Sequence, residues 1–78
     1  MDTENLVRMA NDIGNFFHSE SGPDEAPKSI ATHIRRYWEA RMRARIIEHW
    51  RAGGEGLTPE TMKAVELLVE LNRPKKAG

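Results

Sequence analysis

Residues 26–52 read APKSIATHIRRYWEARMRARIIEHWRA and hold the longest apolar pattern in the chain. Large apolar side chains recur there at every fourth position: Ile30, Ile34, Trp38, Met42 and Ile46. This spacing is typical of one helix face, but a repeat of four drifts around a helix that has 3.6 residues per turn. We therefore predict a long central helix whose apolar stripe wraps around it, or which bends or breaks near Glu39-Ala40.

A shorter helix is predicted before it, over residues 4–18. Its apolar face has a helical spacing: Leu6, Met9, Ile13, Phe16 and Phe17. Thr3 is the predicted N-cap, and Gly14 lies mid-helix, where a missing side chain would let another helix approach closely. Residues 19–25 contain Ser, Gly, Pro and acidic side chains. They are predicted to form a mobile loop, with Asp24 as the N-cap of the central helix.

Glycines mark the end of the central helix. Gly53 is predicted to close that helix in the left-handed conformation. Thr58 and Pro59 then supply an N-cap and a first helical residue, so a last helix is predicted, which ends near Asn72. No strand-like alternation and no repeat is present, so an all-α bundle of three helices is expected, or of four if the central one breaks.

Residues 1–78 are expected to form a single small domain, with residues 1–3 and 74–78 frayed. A chain of this length buries only about 60% of its unfolded surface, so an apolar stripe that stays uncovered could make the isolated protein self-associate. The acidic N-terminal residues are not expected to act as a signal peptide, and no apolar run approaches the roughly 20 residues that span a bilayer. A cytoplasmic protein without a membrane partner is the expectation.

Charge is balanced overall but unevenly spread, with 12 basic and 12 acidic residues. Residues 1–27 carry one basic and six acidic side chains, a net −5, whereas residues 28–51 carry seven basic and two acidic ones, a net +5. Either the two segments pack side by side, or the basic one faces an acidic partner. Zero net charge argues against non-specific nucleic-acid binding. Tyr37 and Trp38, which could stack on bases, are more simply interpreted as core.

No motif for catalysis or metal binding is present. There is no cysteine, which removes disulfides and thiolate metal sites. The three histidines, His18, His33 and His49, lack the i, i+4 spacing of a zinc helix. The sequence Gly53-Gly54-Glu55-Gly56 lacks the Lys-Ser/Thr of a phosphate loop. We therefore predict no catalytic residues and no cofactor in this chain.

Three segments, in this order, resemble a known family. They are LVRMANDIGNFF at residues 6–17, HIRRYWEARMR at residues 33–43 and AGGEGLTP at residues 52–59. Together they are similar to the delta subunit of the soluble, molybdenum- or tungsten-containing, NAD-dependent formate dehydrogenases, from about Leu6 to Leu68. That family often has proline two residues after the tryptophan, where this chain has Ala40.

The resemblance implies a function. The large subunits of such enzymes carry molybdopterin guanine dinucleotide, iron–sulfur clusters and FMN, and pass electrons from formate to NAD. The delta subunit is implied to be a non-catalytic accessory subunit that stabilises the complex or supports its cofactor-loaded form. The alternatives are a transient maturation factor for molybdenum-cofactor insertion and a small nucleic-acid-binding regulator.

The predicted contacts with the large subunits combine an arginine run with the glycine turn, which is the segment of residues 53–57. Arginine and tryptophan are frequent among residues that dominate interface energies, and arginine pairs bidentately with carboxylates. The partner-binding residues expected on this basis are Arg35, Arg36, Arg41, Arg43, Gly53, Gly54, Glu55, Gly56 and Leu57.

Overall fold

Four helices make up the secondary structure of residues 2–71, the part of the chain that this computed structural model describes. They are α1, Thr3–Ser21; α2, Ala26–Tyr37; α3, Ala40–Arg51; and α4, Pro59–Leu71. No strand occurs within that range, so the all-α prediction is confirmed. The central helix of the prediction is broken in two, which is the four-helix alternative.

Two consecutive residues in extended conformation make the break. Trp38 has φ −85° and ψ 144°, and Glu39 has φ −68° and ψ 158°. Ala40 is then the first residue of α3. Proline suits the first position of a helix, yet here the chain breaks with alanine at that position.

Helix α4 contacts all three other helices. Its most extensive partner is α2, while α1 packs mainly on α2, and α3 packs on α4 and α1. The consecutive helices α2 and α3 make almost no contact with each other. The buried core draws on every helix and includes Leu6, Ala10, Ile30, Ile34, Trp38, Ile46, Val65 and Leu68. The break therefore lets two short apolar faces reach one core.

Gly14 lies where α1 meets α2 and α4. A Cβ atom at this position would be 2.8 Å from Oγ1 of Thr61 and 3.4 Å from Cδ1 of Ile30. Thr61 is fully buried, and its Oγ1 is 2.8 Å from Oγ1 of Thr58. The predicted close approach of a helix at Gly14 is confirmed.

Several predicted boundaries are wrong by a few residues. Helix α1 continues through residues 19–21, which the prediction gave to a loop, because serine is tolerated in a last turn and only Gly22, at φ 83°, leaves the helical conformation. The N-cap of α1 is Asp2, not Thr3, since its carboxylate accepts from the N–H of Glu4 at 3.2 Å. Glu25, not Asp24, precedes α2. The predicted fraying of residues 74–78 falls outside the described residues.

We expect Gly14→Ala to lower stability, although the same change at an exposed helix position gains about 1 kcal/mol from propensity. The added methyl group meets a buried, hydrogen-bonded hydroxyl, and such overpacking costs about 1–3 kcal/mol, so a net loss of about 1 kcal/mol is expected. Urea denaturation measures it. Asn15→Ala, at the exposed neighbouring position, is the control and should not lose stability. A Gly14→Ala variant as stable as wild type would contradict the tight contact.

Candidate docking surface

The arginines of the predicted site surround the α2–α3 break. Arg35 and Arg36 lie in the last turn of α2, and Arg41 lies in the first turn of α3; all three are exposed. Cationic side chains at the end of a helix are favourable there, because the helix dipole places partial negative charge at its C-terminus. These three guanidinium groups are available to a partner.

Arg43 has a different role. Its Nη1 donates to the carbonyl oxygen of Trp38 and, at 3.3 Å, to that of Arg35. A helix leaves its last carbonyl groups without partners, and this guanidinium satisfies two of them where α2 ends. Arg43 is half-buried and holds the break, so this part of the predicted docking site is committed to the fold.

A groove of about 430 Å³ lies between α2 and the start of α3. It is lined by Thr32, Arg35, Arg36, Arg43 and Leu71, with no carboxylate among them. Guanidinium groups pair with carboxylates through two parallel hydrogen bonds, which adds direction to the attraction. The groove is therefore suited to acidic side chains of a partner.

The glycine turn closes α3 as predicted. The N–H of Gly53 donates to the carbonyl of Trp50 at 3.1 Å, and that of Gly54 to the carbonyl of His49 at 2.9 Å. These two bonds define a Schellman motif, and positive φ angles of 122° at Gly53 and 67° at Gly54 make glycine necessary. Gly54 is also buried, where a Cβ atom would collide with Sδ of Met62.

Side chains from α1 and α3 contact backbone groups in the rest of this turn. Asn11 donates from Nδ2 to the carbonyl of Gly56 at 2.8 Å and accepts at Oδ1 from the N–H of Thr58 at 3.1 Å. His49 Nε2 lies 2.7 Å from the carbonyl oxygen of Glu55. Thr58 caps α4 as predicted, since its hydroxyl accepts from the N–H of Thr61 at 3.2 Å. The positive φ angles of the turn therefore account for its glycines.

The structure does not bring the two halves of the predicted site together. The arginines lie at the start of α3 and the turn at its end, and a helix of 12 residues is roughly 18 Å long. Within the turn, Gly53, Glu55 and Gly56 are exposed and Leu57 is half-buried. A partner would have to be large to contact both.

An aromatic row on α1 and α2 was not predicted from the sequence. It consists of Phe16, Phe17, His33 and Tyr37. Tyr37 is 68% exposed and Phe16 58% exposed, although both were assigned to apolar faces or core. The reason is that both lie at the edge of their apolar stripes, so the rotation of each helix against its neighbour decides their exposure. Their exposed aromatic rings extend the row to the protein surface on both helices.

Within residues 2–71, no group of three His, Cys, Asp or Glu side chains could hold a metal ion. His18 Nδ1 lies 2.7 Å from Oε2 of Glu60, a contact that joins α1 to α4. No helix in the described part of the chain is long and apolar enough to cross a membrane. The features that stand out are the basic groove and the aromatic row.

Fold and surface together define a small all-α protein with exposed cationic and aromatic faces. The model of the family described as NADH-dependent formate dehydrogenase delta subunit, FdsD, matches residues 5–65. The chain belongs to this family, as its sequence motifs had indicated. No curated protein matches the chain. No solved structure matches it either.

Replacing Arg43 should destabilise the fold, whereas replacing Arg41 should not. Arg43→Ala leaves the carbonyl of Trp38 without its donor, and the loss of a hydrogen bond from a charged group typically costs about 1.5–3 kcal/mol. Arg41→Ala removes an exposed side chain two positions away and should change the free energy of unfolding by less than about 0.5 kcal/mol. Chemical denaturation of both variants checks the difference. Equal stability of the two variants would refute the structural role of Arg43.

Proposed function

We propose that this protein is a non-catalytic accessory subunit of a soluble, cytoplasmic NAD-dependent formate dehydrogenase complex. It docks on a large subunit and stabilises the complex or supports its cofactor-loaded active form. The observation that carries the proposal is membership of the delta subunit family over residues 5–65. The large subunits, in this proposal, hold molybdopterin guanine dinucleotide, iron–sulfur clusters and FMN, and they reduce NAD.

The chemistry of the exposed side chains supports a binding role. The sequence has no cysteine, and the conspicuous surface cluster consists of guanidinium groups. An arginine side chain has no deprotonated form in proteins, so it cannot serve as a general base. It does recognise carboxylates through its planar fork, which makes it a frequent residue at the centre of interfaces.

Docking is proposed to use the exposed arginines at the α2–α3 break. Arg35 and Arg36 line the basic groove, whose own lining contains no carboxylate, and Arg41 is exposed close by in sequence. Arg43 contributes by holding the break, and so by fixing where Arg35 and Arg36 lie. The residues of the glycine turn that remain exposed, such as Glu55, form a separate contact of the same large partner.

The double substitution Arg35→Glu, Arg36→Glu should abolish copurification with the large formate dehydrogenase subunits. Reversed charges would face the acidic side chains of the partner, and we expect the affinity to fall by about a hundredfold or more, since like charges across an interface cost several kcal/mol. The measurement is affinity purification from the native host, with the bound proteins quantified. Lys63→Glu, at an exposed position on α4 outside both proposed contacts, is the control.

Circular dichroism of each variant must show an unchanged helical fold. Undiminished copurification of the folded double variant would reject docking through these arginines. A chain present in equal amount with the large subunits in purified active enzyme would favour the accessory-subunit role. Association only with subunits that lack the molybdenum cofactor would favour a maturation factor instead.

A further inference from the structure

A second groove, between α1 and α2, has aromatic walls and a cationic rim. Its volume is about 450 Å³ and it is open to solvent, so it suits a side chain presented by a protein surface better than an enclosed small ligand. The residues that matter to its chemistry are Phe17, His33, Tyr37, Lys28, Arg36 and Glu25. None of the aromatic ones was included in the docking site that the sequence predicted.

The rings form a continuous row across the two helices. Phe16 and Phe17 meet edge to face with ring centroids 5.0 Å apart, and so do Phe17 and His33 at 5.9 Å. His33 and Tyr37 are tilted by 44° with centroids 4.8 Å apart. Phe17 and His33 are half-buried, whereas the rings at both ends are exposed. A row of this kind at the surface presents a large apolar area at little entropic cost, which is a property of binding sites.

The rim of the groove defines the charge of what it binds. The lining contains two cationic side chains, Lys28 and Arg36, and one carboxylate, Glu25, so it has an excess of positive charge. Thr32 and Arg36 line both this groove and the basic groove, so the two grooves adjoin each other on α2. A partner that covers the outer face of α2 would therefore meet guanidinium groups and the aromatic row in one surface.

We propose that this groove anchors an acidic segment of the large subunit, which packs one aromatic or branched aliphatic side chain against the row of Phe17, His33 and Tyr37. The inference rests on the proposed function and names the chemistry of the partner at the docking site. Carboxylates of the segment pair with Lys28 and Arg36, and the inserted side chain packs on the ring row.

A second copy of this chain is a poorer occupant on charge grounds. A two-fold dimer places the same patch of both protomers face to face. The two linings together would bring four cationic side chains, Lys28 and Arg36 of each copy, against only two carboxylates, those of Glu25, so cations would remain without an acidic partner. Like charges brought together at an interface are unfavourable, so an acidic partner is preferred.

Photo-crosslinking inside the assembled complex tests the proposal. Benzoylphenylalanine is placed at position 37 or 16, both exposed, and in a matched control at Leu67, which is 36% exposed on α4. After irradiation of the complex purified from the host, mass spectrometry identifies the linked peptides. We expect positions 37 and 16 to link to one large-subunit segment that has an excess of Asp and Glu, and position 67 not to link to it.

Substitutions give the second arm of the test. Phe16→Ser with Tyr37→Ser should weaken binding to the large subunits by about tenfold or more, because buried aromatic anchors dominate interface energies. Leu67→Ser should change the affinity less than about twofold. Both changes lie at exposed positions, so circular dichroism should show the fold retained.

The possible outcomes test the groove assignment and the proposed function separately. Three results would overturn the groove assignment and leave docking through the arginines intact. They are crosslinks to a basic segment, crosslinks only to a second copy of this chain, and no crosslink from position 16 or 37 in a complex that still forms. Failure of the unsubstituted chain to copurify with the large subunits would overturn the proposed function, and this inference with it.

Discussion

The fold depends on the hydrogen bonds from the Arg43 guanidinium to the carbonyl oxygens of Trp38 and Arg35. An uninterrupted helix over residues 26–51 would be roughly 39 Å long, whereas α4, with 13 residues, is roughly 20 Å long. About half of the apolar face of such a helix would lie beyond α4 and stay in water. The break folds the two halves onto the same core, and one charged side chain satisfies two of the backbone carbonyl groups that the break exposes.

The same break divides four neighbouring arginines between two roles. Arg43 serves the backbone, while Arg35, Arg36 and Arg41 face outwards. Because α2 and α3 scarcely touch, the exposed arginines are positioned by the packing of α2 and α3 on α4 and α1, and by this one cap. An interaction surface next to a structural cap has a practical consequence for mutagenesis, since loss of binding in an Arg43 variant would not distinguish a lost contact from a displaced helix.

Local chemistry made much of the fold predictable, and long-range geometry made the rest unpredictable. Helical periodicity, the positive φ at Gly53 and the cap at Thr58 depend on residues within one or two turns, and these predictions are confirmed. The exposure of Tyr37 depends on how α2 is rotated against α1. The role of Arg43 depends on carbonyl groups that exist as free acceptors only once the helix is broken. Neither can be derived from spacing along the chain.

The separation of charge along the chain has a consequence for how the protein meets a partner. The acidic side chains of α1 are exposed, and so are the arginines at the α2–α3 break, although the molecule has zero net charge. Exposed charges act on a partner before the surfaces touch, because a cationic patch attracts an acidic surface through solvent. Attraction between the exposed guanidinium groups and an acidic partner would raise the share of productive encounters. The effect extends over about 8 Å in physiological salt and fades as ionic strength increases.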